Sequence, residues 1–463
     1  RKALGSRNLY TAASLDQMPH QVMSYLMFGH GQIFTIPDID RTDYMLMLGA
    51  NPAASNGSLM SSGDVLRRLQ AIKERGGKLV LLDPRKTESA IYASEHHYIR
   101  PTTDALFLIG LIQHIVRERL FDPGHLLPLS DQWDQLTAMF EAYELDNISA
   151  LCGIPASEIK RIAEEFAAAE KAVCYGRMGV SAQSFGTLNH WLMNVLNILT
   201  GNLDSPGGSM FTQPAVNMAI KPSTAGSFNQ YQSRVSGLPE FNREFPTTVM
   251  AEEMLVPGEG QIKAFICMAG NPVLSAPNGR QLDAALEQLE FVVSVDFYLN
   301  ETSRHADLIL PPTGPLEHEQ YDLVFNLLAV RNVAKFAEPL FESPEDSRSD
   351  WDIMQGITKR ITRLKQGGDP VPGKPEIDPV GMVDFGLRSG PYGEKFSAYI
   401  NGEPVEQEQG LSLKVLKQFP HGLDLGPMQS CLPEYLFTRD KKINLIPPPV
   451  LEDLQRLDTF FDS

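Results

Sequence analysis

Two short turns have the residue types and spacing to do chemistry. Gly49-Ala50-Asn51-Pro52 and Gly270-Asn271-Pro272 each follow an apolar run. After a helical stretch, each is followed by a second apolar run that closes on an aspartate, Asp83 or Asp296. Turn amides can hold a phosphate, and a carboxylate at the carboxyl end of a strand accepts hydrogen bonds from a ribose or a base edge. A single Asn-Pro after a strand is most often only a turn. Its recurrence in the same local order, with Asn-to-Asp intervals of 51 to 83 and 271 to 296, makes two related half-sites the better reading. Other polar clusters are weaker. His96 and His97 are adjacent on an extended run, so their side chains point to opposite faces, which argues against a shared ion. Glu317-His318-Glu319 reads as a solvated loop, with a ligand-facing role as its alternative because it follows a strand end. Neither Gly-x-Gly-x-x-Gly nor Gly-x-x-x-x-Gly-Lys-Ser/Thr stands at a strand-to-helix junction, which leaves NAD and ATP unsupported.

The elements that must position these residues alternate. Apolar runs predict strands at 43–48, 78–82, 97–100, 171–176, 264–268, 291–295 and 306–310. Helical spacing predicts helices at 63–75, 103–120, 156–169, 184–201 and 280–289. Strand, helix, strand implies parallel pairing and an α/β fold. The expected architecture is two open, mainly parallel, three-layer α/β/α domains related by internal pseudo-duplication, over 1–213 and 214–365. An irregular Pro- and Gly-rich tail, 366–463, follows as the start of a truncated region. The 463 residues suffice for two to four domains, and a net charge of −17 argues against a nucleic-acid partner. No apolar stretch is long enough to span a bilayer and no signal-peptide pattern opens the chain, so a cytoplasmic protein is expected, although the absent initiator Met leaves room for an upstream targeting segment. Cys152, Cys174, Cys267 and Cys431 are widely spaced and read as buried free thiols.

Several strings, taken together, resemble the prokaryotic molybdopterin oxidoreductases, the dimethyl-sulfoxide-reductase superfamily that includes formate dehydrogenases and nitrate reductases. They are Leu-Gly-Ala-Asn-Pro at 48–52, Asp-Pro-Arg-Lys-Thr-Glu-Ser-Ala at 83–90, Arg-Pro-Thr-Thr-Asp-Ala at 100–105, and Gly-Arg-Met-Gly-Val-Ser-Ala-Gln at 176–183. Leu-Thr-Gly-Asn-Leu-Asp-Ser-Pro-Gly-Gly at 199–208, Ala-Gly-Asn-Pro at 269–272, Val-Asp-Phe-Tyr-Leu-Asn-Glu-Thr at 295–302 and Ala-Asp-Leu-Ile-Leu-Pro at 306–311 extend the likeness to about Trp351. The resemblance implies two molybdopterin guanine dinucleotides holding molybdenum or tungsten, one per half of the chain. It implies Asn51, Asp83, Arg85, Thr87, Thr103, Asp104, Gly179 and Gln183 toward one dinucleotide, and Asn271, Asp296 and Thr302 toward the other. Arg85 is equally readable as a local salt bridge. The family's metal-ligating side chain lies in the stretch that here reads Ala13-Ser14-Leu15-Asp16-Gln17-Met18-Pro19. Asp16 is the candidate ligand, a hard oxygen donor suited to a high-valent metal, with Ser14 as runner-up and helix capping as the plain alternative. An iron–sulfur segment of the Cys-x-x-Cys-x-x-x-Cys kind and a clamping C-terminal barrel, usual in the family, are not recognisable, so a 4Fe-4S cluster is expected only in a missing N-terminal part.

The resemblance therefore implies the cofactor-binding core of a two-electron oxidoreductase acting on a small substrate, with an electron-transfer subunit or redox carrier as partner and the fragment itself inactive. The alternative is a degenerate homologue serving as a structural or electron-wiring subunit without metal. A nicotinamide enzyme is disfavoured by the missing glycine-rich turn.

Overall fold

The computed structural model describes residues 3–217, 220–367 and 378–462. Its contacts divide it into two compact units. The major unit comprises Asp16–Ala225, Asp322–Ala334 and Gly386–Ser463, and the minor unit Arg1–Leu15, Gly226–Tyr321 and Lys335–Phe385. The units are discontinuous in sequence, unlike the three contiguous stretches expected, because side-chain packing groups segments by burial partner rather than chain order.

In the major unit the site-forming elements are α1 (Met18–Phe28), β1 (Tyr44–Leu48), α2 (Val65–Glu74), β2 (Lys78–Leu82), β3 (Glu95–His97), α3 (Asp104–Arg117), β4 (Ala172–Gly176) and α4 (Gly186–Leu199). The strands pair in the order β3-β2-β1-β4, all parallel, with Leu46 opposite both Val80 and Cys174. Each of β1 and β4 is buried along its whole length, as continuous apolar runs in a parallel sheet require. Alternation along the strands sorts the core. Met45, Met47, Leu79, Leu81, Val173 and Tyr175 pack with Leu69 and Ile72 of α2 on one face. Leu46, Leu48, Val80, Leu82 and Cys174 face the other, against Met23, Phe107, Ile112, Trp191 and Leu196 from α1, α3 and α4. Helices therefore cover both faces.

The outer edge of β4 would expose unpaired amides. Asn197 closes it from α4: its Oδ1 accepts from Cys174 N at 2.9 Å while its Nδ2 donates to Cys174 O at 3.0 Å. Asn202 Oδ1 accepts from Ala172 N at 2.9 Å. Both asparagines are buried.

In the minor unit, β5 (Ala264–Met268), α5 (Gly279–Leu286), β6 (Phe291–Val295) and β7 (Leu308–Ile309) repeat the alternation. The strands form a parallel sheet of order β7-β6-β5. Its core joins Met250, Met254 and Ile262 to Leu282, Ala285 and Leu286.

The last stretch differs from expectation. Residues 368–377, where the irregular tail was expected to begin, lie outside the described residues. Beyond them stand a helix over Pro379–Ser389, a hairpin of Ser397–Ile400 with Glu403–Glu406, a strand Leu423–Pro427 antiparallel to Arg331–Ala334, and a helix from Pro448 to Asp462. Pro379, Pro427 and Pro448 stand at the ends of these elements and Pro404 within the hairpin, none abolishing them, and buried Leu445, Leu454 and Leu457 join the core of α3 and α4. Trp191 Nε1 donates to Leu445 O at 2.8 Å.

Asn197→Ala should strand the amide and carbonyl of Cys174 in the core. A destabilisation of about 2–4 kcal/mol is expected from two orphaned backbone groups, read as a lowered urea midpoint with an unchanged slope.

Candidate functional site

The carboxyl ends of β1, β2 and β4 converge on loops that carry most of the residues singled out from the sequence. After β1 the chain enters Gly49 at φ +52°, then Ala50, Asn51 and a single helical turn, Pro52–Ser55, with Pro at its start. Asn51 Oδ1 accepts from Ser89 Oγ at 2.7 Å and Ser89 N at 3.2 Å, and its Nδ2 donates to Glu88 Oε2 at 2.6 Å. Ser89 Oγ in turn accepts from Ala53 N at 3.0 Å. The turn after β1 is thus clamped to the loop after β2.

The minor unit has the same clamp. Asn271 Oδ1 accepts from Thr302 Oγ1 at 2.8 Å, Asn271 Nδ2 donates to Glu301 Oε2 at 2.6 Å, and Thr302 Oγ1 accepts from Val273 N at 3.1 Å. Asp83 Oδ1 accepts from Arg85 N at 2.8 Å, and Asp296 Oδ1 from Tyr298 N at 2.9 Å. The helices that follow the turns both begin from a residue with left-handed backbone, Asp64 at φ +53° and Asn278 at φ +56°. The carboxylates of exposed Glu88 and Glu301 are held below the usual range, at Glu88 by a hydrogen bond to its own backbone first and the Asn51 contact second, and at Glu301 by the Asn271 contact first and the backbone second.

Ser89, which the sequence reading did not single out, holds Asn51 as Thr302 holds Asn271, and the matching Glu88 and Glu301 in the sequence could have indicated it. Thr87 is buried, and its Oγ1 has no hydrogen-bond partner among the described residues. Arg85 lies 3.4 Å from Glu88 with its side chain 64% exposed, a weak pair that leaves the guanidinium largely in water. Thr103 is buried and spends its hydroxyl on Arg100 O at 2.7 Å, at the start of α3.

Asp104 and Gln183, far apart in sequence, meet: Gln183 Nε2 donates to Asp104 Oδ2 at 2.9 Å and to Gly179 O at 2.7 Å. Burial raises the Asp104 carboxyl above its ordinary range, opposed by the Gln183 bond and assisted by the negative charge of Asp83. Gly179 N donates to Gly49 O at 2.9 Å, and a Cβ on Gly179 would stand 2.7 Å from Gly49 Cα. The two glycines let the loops after β1 and β4 touch backbone to backbone.

Asp16 Oδ1 accepts from Arg177 Nη2 at 2.6 Å. The Arg177 side chain is buried, and its Nε donates to Ser58 Oγ at 2.8 Å. Arg177 Nη1, like Gln183 Oε1, has no hydrogen-bond partner among the described residues. In the minor unit the Ser14 hydroxyl donates to Thr247 Oγ1 at 3.0 Å and accepts from Thr247 N at 2.9 Å, so it is engaged locally. His96 Nε2 lies 3.1 Å from Asp83 O and its ring stands edge to face with Tyr98, and Glu317 receives Gly314 N at 2.8 Å. No group of three or more His, Cys, Asp or Glu is placed to hold a metal ion among the described residues, and no described helix is long and apolar enough to cross a membrane. Cys152, Cys174 and Cys267 are buried free thiols, and Cys431 is half-buried.

Two histidines escaped the sequence reading. The rings of His20 of α1 and His190 of α4 lie with centroids 3.5 Å apart and planes tilted by 40°, beside a cavity of about 30 Å³, and His190 Nε2 is 2.8 Å from Ser181 Oγ. His20 is pushed down to about 3 by burial first and by the Arg177 charge second. His190 is likewise held well below its ordinary value by burial, His20 and Arg177. Nothing local in sequence marks the pair, since 170 residues separate its members.

A family model described as molybdopterin oxidoreductase matches residues 2–360. The chain belongs to that family. Among curated relatives, formate dehydrogenase H of Escherichia coli (strain K12) is 26% identical over 377 residues, 78% of this chain and 51% of that protein. The F420-dependent formate dehydrogenase subunit alpha of Methanocaldococcus jannaschii is 25% identical over 375 residues, 78% of this chain and 54% of that protein. The chain thus spans about half the length of these relatives. The solved acetylene hydratase from Pelobacter acetylenicus shares its fold, with a TM-score of 0.72 at 18% identity over 97% of this chain and 61% of that one.

The neutral His20 implies a direction for acid sensitivity. Its folded pKa lies below the unfolded value, so its contribution is complete above about pH 6.5 and is lost as pH falls toward about 3. Between those limits wild-type stability should fall by up to about 1.4 kcal/mol per pH unit more steeply than that of His20→Gln. Urea midpoints at several pH values measure the difference, and parallel profiles would remove His20 from the acid response.

Proposed function

We propose that the chain is the cofactor-holding core of a molybdenum or tungsten enzyme that carries two molybdopterin guanine dinucleotides and performs two-electron redox on a small substrate. The observation that carries this reading is the twice-built clamp, Asn51–Glu88–Ser89 and Asn271–Glu301–Thr302, at the carboxyl ends of two parallel sheets in a member of this family. It supports an internal duplication with one dinucleotide per copy.

The residues present fit such a group. Thr87 Oγ1, Gln183 Oε1 and Arg177 Nη1 are buried and unpartnered among the described residues, and the Gly49–Gly179 contact keeps the backbone free of side chains there. These residues, with Asn51, Asp83 and Arg85, would hold one dinucleotide. Asn271, Asp296 and Thr302 would hold the other, with Thr103 and Asp104 supporting the first from α3. Asp16 would supply an oxygen ligand to the metal, and Arg177 would fix its carboxylate in direction. When bound, the metal–pterin unit supplies the two-electron chemistry, while the protein supplies position and electrostatics. Formate is the substrate named by the relatives and sets the size class. Electrons would leave through an iron–sulfur segment or a partner subunit of the complete enzyme.

The Asp16–Arg177 pair also gives the alternative its footing. A carboxylate spent on an internal salt bridge suits a metal-free homologue acting as a structural or electron-wiring subunit.

Metal and guanine analysis of the purified full-length protein separates the two: near-stoichiometric molybdenum or tungsten with guanine nucleotide is expected, and absence of both favours the metal-free subunit. In the same protein Asp16→Ala should abolish turnover, a loss of at least about a hundredfold, while guanine content stays at the wild-type level. Undiminished turnover would remove Asp16 from the mechanism.

A further inference from the structure

Gln183 sits in a four-residue link, 182–185, between the helical turn Met178–Ser181 and α4. Ala182 N and the carbonyls of Gln183 and Phe185 are bonded locally, to Met178 O, Gly186 N and Asn189 N. The Ser184 carbonyl is bonded from 272 residues away: Arg456, in the helix Pro448–Asp462, donates to it from Nη2. The same guanidinium lies over the Phe185 ring, with its carbon 4.2 Å from the centroid. Phe460 and Phe461 of the same helix pack against that ring at 5.6 Å and 6.4 Å between centroids. Asp453, one turn back, accepts from Arg456 Nε at 2.7 Å and so orients the guanidinium plane. A planar fork can lie on a ring and bond a neighbouring carbonyl at once, which an ammonium group cannot.

The helix does not need these contacts in order to dock. Val450, Leu454 and Leu457, spaced by four and three residues along one face, are buried in the core of α3 and α4. The Arg456 side chain, in contrast, is 51% exposed, and an exposed ion pair such as Arg456–Asp453 contributes little to stability. What Arg456 does hold is the link. Gln183 spends its Nε2 on Asp104 and Gly179 O and keeps Oε1 without a partner among the described residues. Where that oxygen stands depends on the backbone of the link, and both residues after Gln183 are gripped by one guanidinium. We infer that Arg456 is a positioning residue for Gln183. By holding Ser184 O and the Phe185 ring it fixes the backbone from which Gln183 Oε1 meets a donor of the first dinucleotide, and so sets how long that dinucleotide stays bound. The inference rests on the cofactor reading of the preceding subsection.

The experiment takes the full-length protein with its cofactor and follows guanine and metal passing an ultrafilter after dilution, in wild type, Arg456→Ala, Gln183→Ala and the double variant. Each single change is expected to speed release by about fivefold. The double variant should release no faster than Gln183→Ala to within about twofold, because the arginine acts through the glutamine. Circular dichroism checks that each variant is folded. Should Arg456→Ala accumulate poorly, Arg456→Lys, which keeps the charge and loses the plane, enters the same cycle with a smaller acceleration, again absent beside Gln183→Ala. Wild-type release in Arg456→Ala would overturn the inference. So would an acceleration that persists undiminished beside Gln183→Ala, which is the behaviour of a residue that only pins its own helix. Wild-type release in Gln183→Ala would overturn it as well, by removing Gln183 from the contacts of the dinucleotide. A full-length protein that yields neither guanine nor metal on denaturation would instead overturn the cofactor reading itself, and the inference with it.

Discussion

A parallel sheet buried on both faces leaves no room for polar side chains except at its ends. In the major unit β1 and β4 are buried throughout and sort their side chains by parity into two apolar layers, so every functional group must be delivered by the loops. That constraint explains why Asn51, Asp83, Gly179 and Gln183 all stand in loops that follow the strands. It also explains why glycine is needed where the loops cross: Gly49 and Gly179 approach backbone to backbone, and one added Cβ would force them apart.

The repeated clamp follows from the same constraint in the minor unit. An Asn whose amide is held by a Glu and whose carbonyl oxygen is held by a hydroxyl rigidifies the turn ahead of Pro52 or Pro272 without contributing to the core. A hydroxyl that bonds both the Asn side chain and an amide of the next helical turn ties strand end to helix start. Such a local device can be kept while the exposed tip beyond it changes character, which the contrast between Arg85-Lys86 and Phe297-Tyr298 illustrates.

Electrostatics in the major unit centre on Arg177. Its charge is buried, it is partnered by Asp16 and Ser58, and the neighbouring imidazoles of His20 and His190 are kept neutral, so no second cation competes for the carboxylate. A buried cation with an unfilled donor is costly in isolation and is the kind of group that an anionic cofactor would satisfy.

The sequence by itself determined the main parallel strands, their alternation with helices and the two Asn-Pro turns, because each rests on short apolar runs and local turn chemistry: 78–82, 264–268 and 291–295 emerge within the limits read from hydropathy alone, whereas the less apolar edge strand expected at 97–100 is Glu95–His97. The family strings likewise lay within single segments. Tertiary structure decided everything that depended on long separations. The Asp104–Gln183 bond spans 79 residues, the Asp16–Arg177 pair 161, and the His20–His190 ring contact 170. Local periodicity carries no information about such meetings, since they are fixed by which helix covers which sheet face. The tail misled for the related reason that Pro and Gly content reports turn frequency, whereas order there comes from Leu445, Leu454 and Leu457 reaching a distant core. Ser89 fell between the two cases: its role was visible in the aligned Glu-Ser and Glu-Thr pairs, but only the folded clamp showed that the hydroxyl beside the glutamate, and not Thr87, is the one the asparagine holds.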